Sequence, residues 1–189
     1  MRTILVPTDF SKVARNAAEY AVAFAKGIKA NVLLLHVYHV PVPVSIDAAP
    51  IMIITPDELR KESEKQLKKE ALRLKKNTGV NVKYKATMGL AVDEILAEQR
   101  NASFIVMGMK GASKLSETLM GSITTATLRK AKTPMIVIPE KASYKKPVKI
   151  AFACDYDPRT DVKTLNALKL IIDLFHNSHS DIENKKHCW

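Results

Sequence analysis

The sequence predicts an α/β domain with a mostly parallel sheet, and three observations carry that prediction. Strand-like and helix-like segments alternate five times before residue 140, as in α/β proteins. The strand-like segments are nearly continuous apolar runs, such as RTILVP at 2–7, which is typical of strands covered on both faces. The first helix-like segment carries alanine along one face, and side chains this small let a helix lie close to a sheet. These alanines are Ala14, Ala17, Ala18, Ala21 and Ala25.

The element boundaries come from capping residues and apolar spacing. After the strand at 2–7, Ser11 is a suitable N-cap for a helix that we expect to run to about Lys26, with Gly27 as its stop. A second long helix begins beside Pro56, with acidic residues in its first turn. The remaining predicted elements are strand 31–38, helix 57–76, strand 80–86, helix 91–101, strand 103–108, helix 122–132 and strand 134–139.

Beyond residue 140 the pattern of the first strand is repeated once. The stretch VKIAFACDYDP at 148–158 has the same order as RTILVPTDFS, and Asp155 takes the place of Asp9. A helical pattern follows over about 161–175, after which periodicity ends. We therefore predict a complete module at 1–140, a basic linker at 141–147, an incomplete second module at 148–176 and a disordered tail at 177–189. The incomplete module would consist of one strand, at 148–154, and the helix after it.

Composition excludes several classes of protein. The chain of 189 residues is 47% hydrophobic and 26% charged, as expected for a globular protein. It has no apolar run of about 18 residues and no signal-peptide pattern, so we expect a cytoplasmic protein with no membrane partner. The net charge of +11 includes a mixed-charge helical stretch at 57–76 and a cluster of lysines at 141–149. Neither interleaves aromatic with basic residues as single-strand binders do, so we expect no nucleic-acid partner.

Histidine and cysteine do not predict a metal site or a catalytic centre. Cys154 and Cys188 are too few for a disulfide framework and lack zinc-ligand spacing. His176 directly precedes the tail, and His179, His187 and Cys188 lie in it, but this segment has no periodic structure that would gather them. His36 ends an apolar strand, and we interpret it as a packed, hydrogen-bonded residue. We predict no catalytic residues and no metal ligands.

The strongest local signal is the loop that follows the strand at 103–108. It reads VMGMKGASKLSETLMGSITTATL, with glycine at 108, 111 and 121 and Ser122 after the last. Glycine lets a phosphate approach the backbone closely, and the helix that follows adds free N–H groups and the positive end of its dipole. The spacing is neither a Walker loop nor GxGxxG. From these residues alone, a phosphate site and a plain loop with Ser122 as helix cap remain equally open.

A resemblance to a known family bears on that choice. The spacing of the three glycines and Ser122 resembles the G-2x-G-9x-G-S/T motif of the ATP-binding universal stress proteins. ILVPTDFS, LLLHV and TPMIVIP resemble the same family in the same order, so the resemblance covers residues 1–139. It implies a Rossmann-like open sheet of five parallel strands in the order 3-2-1-4-5, with helices on both faces. An extra C-terminal strand–helix unit would follow that sheet.

The resemblance also implies a nucleotide site where the first and fourth strands end side by side. Asp9 would meet the adenosine, although it has an alternative role as a helix cap or Asx-turn residue. Val37 would offer backbone groups to the adenine edge, and the glycine loop would hold ribose and phosphates. The implied nucleotide-binding residues are Pro7, Thr8, Asp9, Val37, Met107, Gly108, Lys110, Gly111, Gly121, Ser122, Ile123 and Thr124.

The function implied is that of an ATP-binding regulator of the stress response. Mg²⁺ would be held by the phosphates, and ATP hydrolysis would be slow or absent, because no second acid lies at the switch point. We expect a homodimer through strand 134–139 and an unidentified regulatory protein partner. Two alternatives stay open: an interaction module of the same fold that binds no nucleotide, and an enzyme of the related adenine-nucleotide α-hydrolases, whose phosphate-loop motifs are missing here.

Overall fold

The five predicted strands form one parallel sheet. The structure is a computed structural model that describes residues 2–40, 55–76, 78–110, 120–151 and 169–174. The strands are β1 (Thr3–Pro7), β2 (Asn31–Tyr38), β3 (Val82–Met88), β4 (Phe104–Gly108) and β5 (Met135–Ile138). Every pairing is parallel and the order is β3-β2-β1-β4-β5. The predicted five-stranded Rossmann-like sheet is therefore confirmed.

Helices cover both faces of this sheet. They are α1 (Lys12–Ile28), α2 (Pro56–Lys75), α3 (Ala91–Glu98) and α4 (Ser122–Lys130), with a 3-10 helix at Gln99–Asn101 after α3. The order of the strands reverses direction after β3, and right-handed crossovers then place α1 and α2 on one face and α3 and α4 on the other. Contacts between α1 and α2, and between α3 and α4, agree with this arrangement.

The alanine face of α1 lies against the sheet, as its spacing predicts. All five of these alanines are buried, and Phe24 of the same helix packs edge-on against Phe104 of β4 at 5.5 Å between ring centroids. Ser11 is the N-cap, and its side chain accepts from the Ala14 N–H at 3.2 Å. On the other face, the α3 side chain of Ile95 joins Leu5, Leu35, Ile105 and Met107 in a buried cluster.

Gly27 does not stop α1, so that prediction is wrong. The helix runs to Ile28, and Lys29 adopts the left-handed conformation that ends it (φ 53°, ψ 48°). Continuing the helix buries Ile28. Gly27 has a different role: a Cβ there would lie 3.1 Å from the Tyr144 hydroxyl, so the small residue makes room for that hydroxyl.

The third strand begins and ends two residues later than predicted. Residues 78–81 belong to the connection, where the Thr78 hydroxyl accepts from the Val80 N–H at 3.3 Å. The strand continues to Met88 because it stays paired with β2 as far as Tyr38. The apolar pattern alone does not reveal this, since Thr87 is polar and yet paired.

The chain divides into two compact units, Met1–Tyr144 and Lys145–Trp189. In the first, Asn16 of α1 donates to the carbonyls of Pro139 and Ala142 at 3.1 and 3.0 Å, which holds the chain after β5 against α1. In the second, residues 148–151 lie in no strand, whereas we expect one at 148–154. A strand requires a hydrogen-bonded neighbour, and the described part of this unit offers none. Residues 169–174 are helical, within the helix expected at about 161–175.

Several expectations for the second unit fall on residues outside the described ones. These are residues 152–154 of the strand, residues 161–168 and 175 of the helix, and the tail. Among the described residues, no helix has both the length and the apolar character needed to cross a membrane.

Candidate functional site

A cavity of about 310 Å³ opens where β1 and β4 end side by side. The strand order reverses at this point, because the chain leaves β1 toward β2 and leaves β4 toward β5. Open α/β sheets bind ligands beyond the carboxyl ends of their strands at such switch points. The volume lies at the lower end of the range of about 300–1,000 Å³ that small-molecule sites occupy.

The structure brings the residues implied by the resemblance together around this cavity. Eleven of the twelve line it, and the twelfth, Gly111, lies outside the described residues. The eleven are Pro7, Thr8, Asp9, Val37, Met107, Gly108, Lys110, Gly121, Ser122, Ile123 and Thr124.

Five further residues line the cavity that the sequence did not single out for it: Ala14, Leu35, His36, Ala91 and Ile95. Leu35 and Ile95 are 1% exposed and belong to the cluster under the sheet. The core therefore reaches the cavity and forms an apolar wall there, together with Met107. Helical and strand spacing marks these residues as core, but spacing does not reveal which end of the core opens to a ligand.

The beginning of α4 faces the cavity without a side-chain cap. Gly121 is the N-cap, at φ −66° and ψ 151°, and no side chain among the described residues caps the helix. The first three helical N–H groups, from Ser122 to Thr124, have no partner within a helix of this kind. The Gly121 N–H is engaged, since it donates to the Met109 carbonyl at 2.7 Å. The interpretation of Ser122 as a plain helix cap is therefore wrong.

Gly108 is glycine because α1 approaches it. A Cβ on Gly108 would lie 2.6 Å from Val13 Cγ1 and 3.1 Å from the Val13 carbonyl oxygen. The Thr124 hydroxyl donates to the Gly108 carbonyl at 2.9 Å, and this bond ties the start of α4 to the end of β4. The first glycine of the motif thus has a packing role inside the protein, whatever the cavity holds.

For Gly121 the backbone conformation gives no reason for glycine, whereas at Gly108 the approach of α1 gives one. Its backbone conformation, with φ −66° and ψ 151°, lies in the extended region that any residue adopts. The conformation of the chain therefore gives no reason for glycine at this position, which lines the cavity.

The turn after β1 is held by side chains of its own residues. The Thr8 hydroxyl accepts from the Phe10 N–H at 3.1 Å, and Asp9 Oδ1 accepts from the Ser11 N–H at 3.0 Å. The expected alternative role of Asp9 as an Asx-turn residue is thereby confirmed. Phe10 has φ 61°, the left-handed region that costs a bulky residue about 1–3 kcal/mol. Backbone strain of this size is concentrated at functional sites.

His36 is packed and hydrogen-bonded, as predicted. Its Nδ1 lies 2.7 Å from the Thr8 carbonyl oxygen. A carbonyl only accepts, so Nδ1 carries the proton and donates. The Phe10 ring packs against the imidazole at 4.5 Å between centroids, tilted by 43°.

Charge at the cavity is sparse. Among the described residues that line it, Lys110 is the only lysine or arginine, and Asp9 is the only carboxylate. The described residues hold no group of three or more metal-ligating side chains. The histidines and Cys188 of the tail lie outside the described residues.

Comparison with known proteins gives one consistent family. The model of the universal stress protein family matches residues 1–139. The universal stress protein MJ0531 of Methanocaldococcus jannaschii is 31% identical over 139 residues, covering 72% of this chain and 81% of that protein. MJ0577 of the same organism is 31% identical over 158 residues, covering 75% of this chain and 97% of that protein.

Solved structures agree on the fold. A universal stress protein from Archaeoglobus fulgidus superposes with a TM-score of 0.69 at 25% identity, covering 92% of this chain and 64% of that one. A universal stress protein in complex with cAMP gives 0.56 at 20% identity, covering 74% and 97%. Another from A. fulgidus, in complex with dAMP, gives 0.53 at 19% identity, covering 72% and 97%.

Proposed function

This chain belongs to the universal stress protein family, and we propose that it binds ATP in the cavity at the end of β1 and β4 and acts as a regulator of the stress response. One observation carries the proposal. At one end of the cavity lies a helix N-terminus that no described side chain caps, and at the other lies an apolar wall beside strand backbone that no described residue pairs with. A nucleotide needs these two surfaces at opposite ends of one site.

The N-terminus of α4 is suited to the phosphates. The N–H groups of Ser122, Ile123 and Thr124 have no hydrogen-bond partner among the described residues and can bond to anion oxygens, and the helix dipole adds about 0.3–1 kcal/mol per charge. Gly121 puts no side chain between them and the ligand, and Lys110 supplies a positive charge. Because its proton is donated to Gly108, the Thr124 hydroxyl would contact a ligand only as an acceptor.

The backbone of Val37 is suited to the edge of the base. In a parallel strand the N–H and C=O of one residue point to the same neighbour, and successive residues alternate. The Leu35 carbonyl accepts from the Thr8 N–H, and the Tyr38 carbonyl accepts from the Gly89 N–H beside β3. Val37 therefore points toward β1, which ends at Pro7, and its donor and acceptor match N1 and the 6-amino group of adenine. Leu35, Ile95 and Met107 would cover the ring.

A divalent cation would be held mainly by the phosphates. Asp9 is the only carboxylate among the described lining residues, and its Oδ1 already accepts from Ser11. Mg²⁺ usually takes one or two carboxylates together with phosphate oxygens and water. We therefore expect ATP hydrolysis to be slow or absent, and the bound nucleotide to act as a signal. The relatives with cAMP and dAMP support an adenine nucleotide in this fold.

Calorimetric titration with Mg-ATP, combined with chromatography of nucleotide released on denaturation, tests the proposal. We expect one ATP per chain, and at least about tenfold weaker binding in Gly121→Val, because its side chain blocks the approach of the phosphates. Ser143→Val, exposed and outside the cavity, is the control and should bind as the wild type does. A wild-type protein that binds no adenine nucleotide would contradict the proposal and favour an interaction module.

We also propose that two copies of the chain associate through β5. This strand is an edge of the sheet, and Met135, Ile136 and Val137 are only partly buried. An exposed edge offers unpaired backbone to a second strand. Sedimentation over a range of concentrations should give twice the chain mass, and a monomer throughout would contradict the proposal.

A further inference from the structure

We propose that His36 and Thr8 are positioning residues that keep the N–H and C=O of Val37 from bonding to the chain after β1 and leave them available to the base. The inference rests on the proposed function, because it assigns a cause to the opening that the base would enter. It concerns the C=O and the N–H of Val37, which would otherwise form sheet hydrogen bonds to the chain after β1.

The register identifies those two groups. Pro7 pairs with Leu35, so the next step of the ladder would join the Val37 N–H to the Thr8 carbonyl and the Val37 carbonyl to the Phe10 N–H. All three residues are described, and neither bond forms. The ladder between β1 and β2 therefore stops although both chains continue.

Each of the two missing partners is engaged by a side chain. The Thr8 carbonyl accepts from His36 Nδ1 at 2.7 Å, the shorter of the two bonds. The Phe10 N–H donates to the Thr8 hydroxyl at 3.1 Å. Since buried backbone groups need partners, these side chains satisfy exactly the groups that would otherwise bond to Val37.

The position of the imidazole is itself fixed. The Phe10 ring packs on it at 4.5 Å between centroids. Phe10 also has a left-handed backbone conformation, φ 61°, at the place where the ladder would continue. Phe10 and His36 therefore contact each other at the point where the ladder between β1 and β2 stops.

Amide hydrogen exchange at Val37 distinguishes a positioning role of His36 from ordinary stabilisation. Loss of a positioning residue should slow exchange of the Val37 amide, whereas loss of a merely stabilising residue should speed it. In His36→Leu the Thr8 carbonyl loses its donor, and we expect the Val37 N–H to bond to it and exchange at least about tenfold more slowly than in the wild type. His36→Asn, whose amide can donate from a similar position, should keep the wild-type rate. Faster or unchanged exchange in His36→Leu would overturn the proposal.

Thr8 provides the second, independent variant. Thr8→Val removes the acceptor of the Phe10 N–H, so that this group can bond to the Val37 carbonyl, whereas Thr8→Ser retains the hydroxyl. We expect Thr8→Val, and not Thr8→Ser, to slow exchange of the Phe10 amide. This measurement decides the matter if His36→Leu does not fold, and equal rates in the two Thr8 variants would count against the proposal.

Binding then separates this inference from the proposed function. His36→Leu should bind ATP about five- to tenfold more weakly, the net value of one hydrogen bond, while tripolyphosphate, which has no base, should bind it and the wild type equally. His36→Asn should stay within about twofold for ATP. Failure of the wild type to bind ATP would refute the proposed function, whereas wild-type ATP affinity in His36→Leu would refute only the positioning role.

Discussion

Replacing Gly108 by alanine tests whether this glycine is required by the approach of α1. The added Cβ would lie 2.6 Å from Val13 Cγ1, whereas ordinary contacts begin at 3.4 Å, so about 0.8 Å of movement is needed (3.4 minus 2.6). Val13 is buried in a helix, where a β-branched side chain has one favoured rotamer, and it cannot simply turn away. The Val13 carbonyl oxygen, at 3.1 Å, is backbone and yields still less.

We therefore expect Gly108→Ala to lower the free energy of unfolding by about 1–3 kcal/mol, the usual cost of overpacking. Urea denaturation measures it. The double variant Val13→Ala/Gly108→Ala removes the Cγ1 clash but not the carbonyl contact, so it should be more stable than the sum of the two single changes implies. Gly121→Ser is the control, because the extended backbone conformation of Gly121 accepts a side chain and serine is at least as good an N-cap as glycine. Its stability should stay within about 0.5 kcal/mol of the wild type.

Two outcomes would refute this reasoning. If Gly108→Ala unfolds within about 0.5 kcal/mol of the wild type, the approach of α1 does not require glycine. If Gly121→Ser loses as much stability as Gly108→Ala, the two glycines do not differ in the way that their backbone geometry indicates.

Three further predictions concern contacts around the sheet. Thr124→Val should lose about 1–2 kcal/mol of stability in urea, because the partly buried Gly108 carbonyl is left without its 2.9 Å donor, while Thr124→Ser should lose less. The Lys85 ammonium, 2.6 Å from the Glu98 carboxylate, lowers the pKa of Glu98 below its ordinary 4.5. This contribution is present above pH 4.5 and is lost as the pH falls through the folded-state pKa, so the difference between the melting temperatures of Glu98→Gln and the wild type should be largest at pH 7 and shrink progressively below pH 4.5. Thr55→Ala removes the capping box of α2 and should lower the free energy of unfolding by about 1 kcal/mol, measured by thermal denaturation. Thr55→Ser keeps the capping hydroxyl and should retain most of that stability.

Most of the sheet could be predicted from the sequence because its signals are local. The buried strands are continuous apolar runs, and the alanine face of α1 is visible from spacing alone. The order of the strands is not a local property, and it came from the resemblance. The boundaries that were wrong depend on distant contacts: Gly27 remains helical beside Tyr144, and β3 continues to Met88 because β2 stays paired with it.

The candidate site divides in the same way. Glycine spacing and the resemblance predicted which residues would gather at the end of β1 and β4. They could not reveal that the approach of Val13 leaves no room for a Cβ at position 108, or that Gly121 and not Ser122 is the N-cap of α4. Both depend on how two elements pack together. His36 was predicted to be packed, but the direction of its hydrogen bond to Thr8 appears only in the fold.

The central claim, that one nucleotide spans the cavity from α4 to β2, is tested most directly by backbone amide NMR during titration with Mg-ATP. The signals of Ser122 and Ile123 at the phosphate end and of Val37 at the base end should shift together, in one saturable step that is complete at one ATP per chain. If no amide at either end shifts, or only those of Ser122 and Ile123 do so while Val37 stays unchanged at saturation, the account of the site is contradicted.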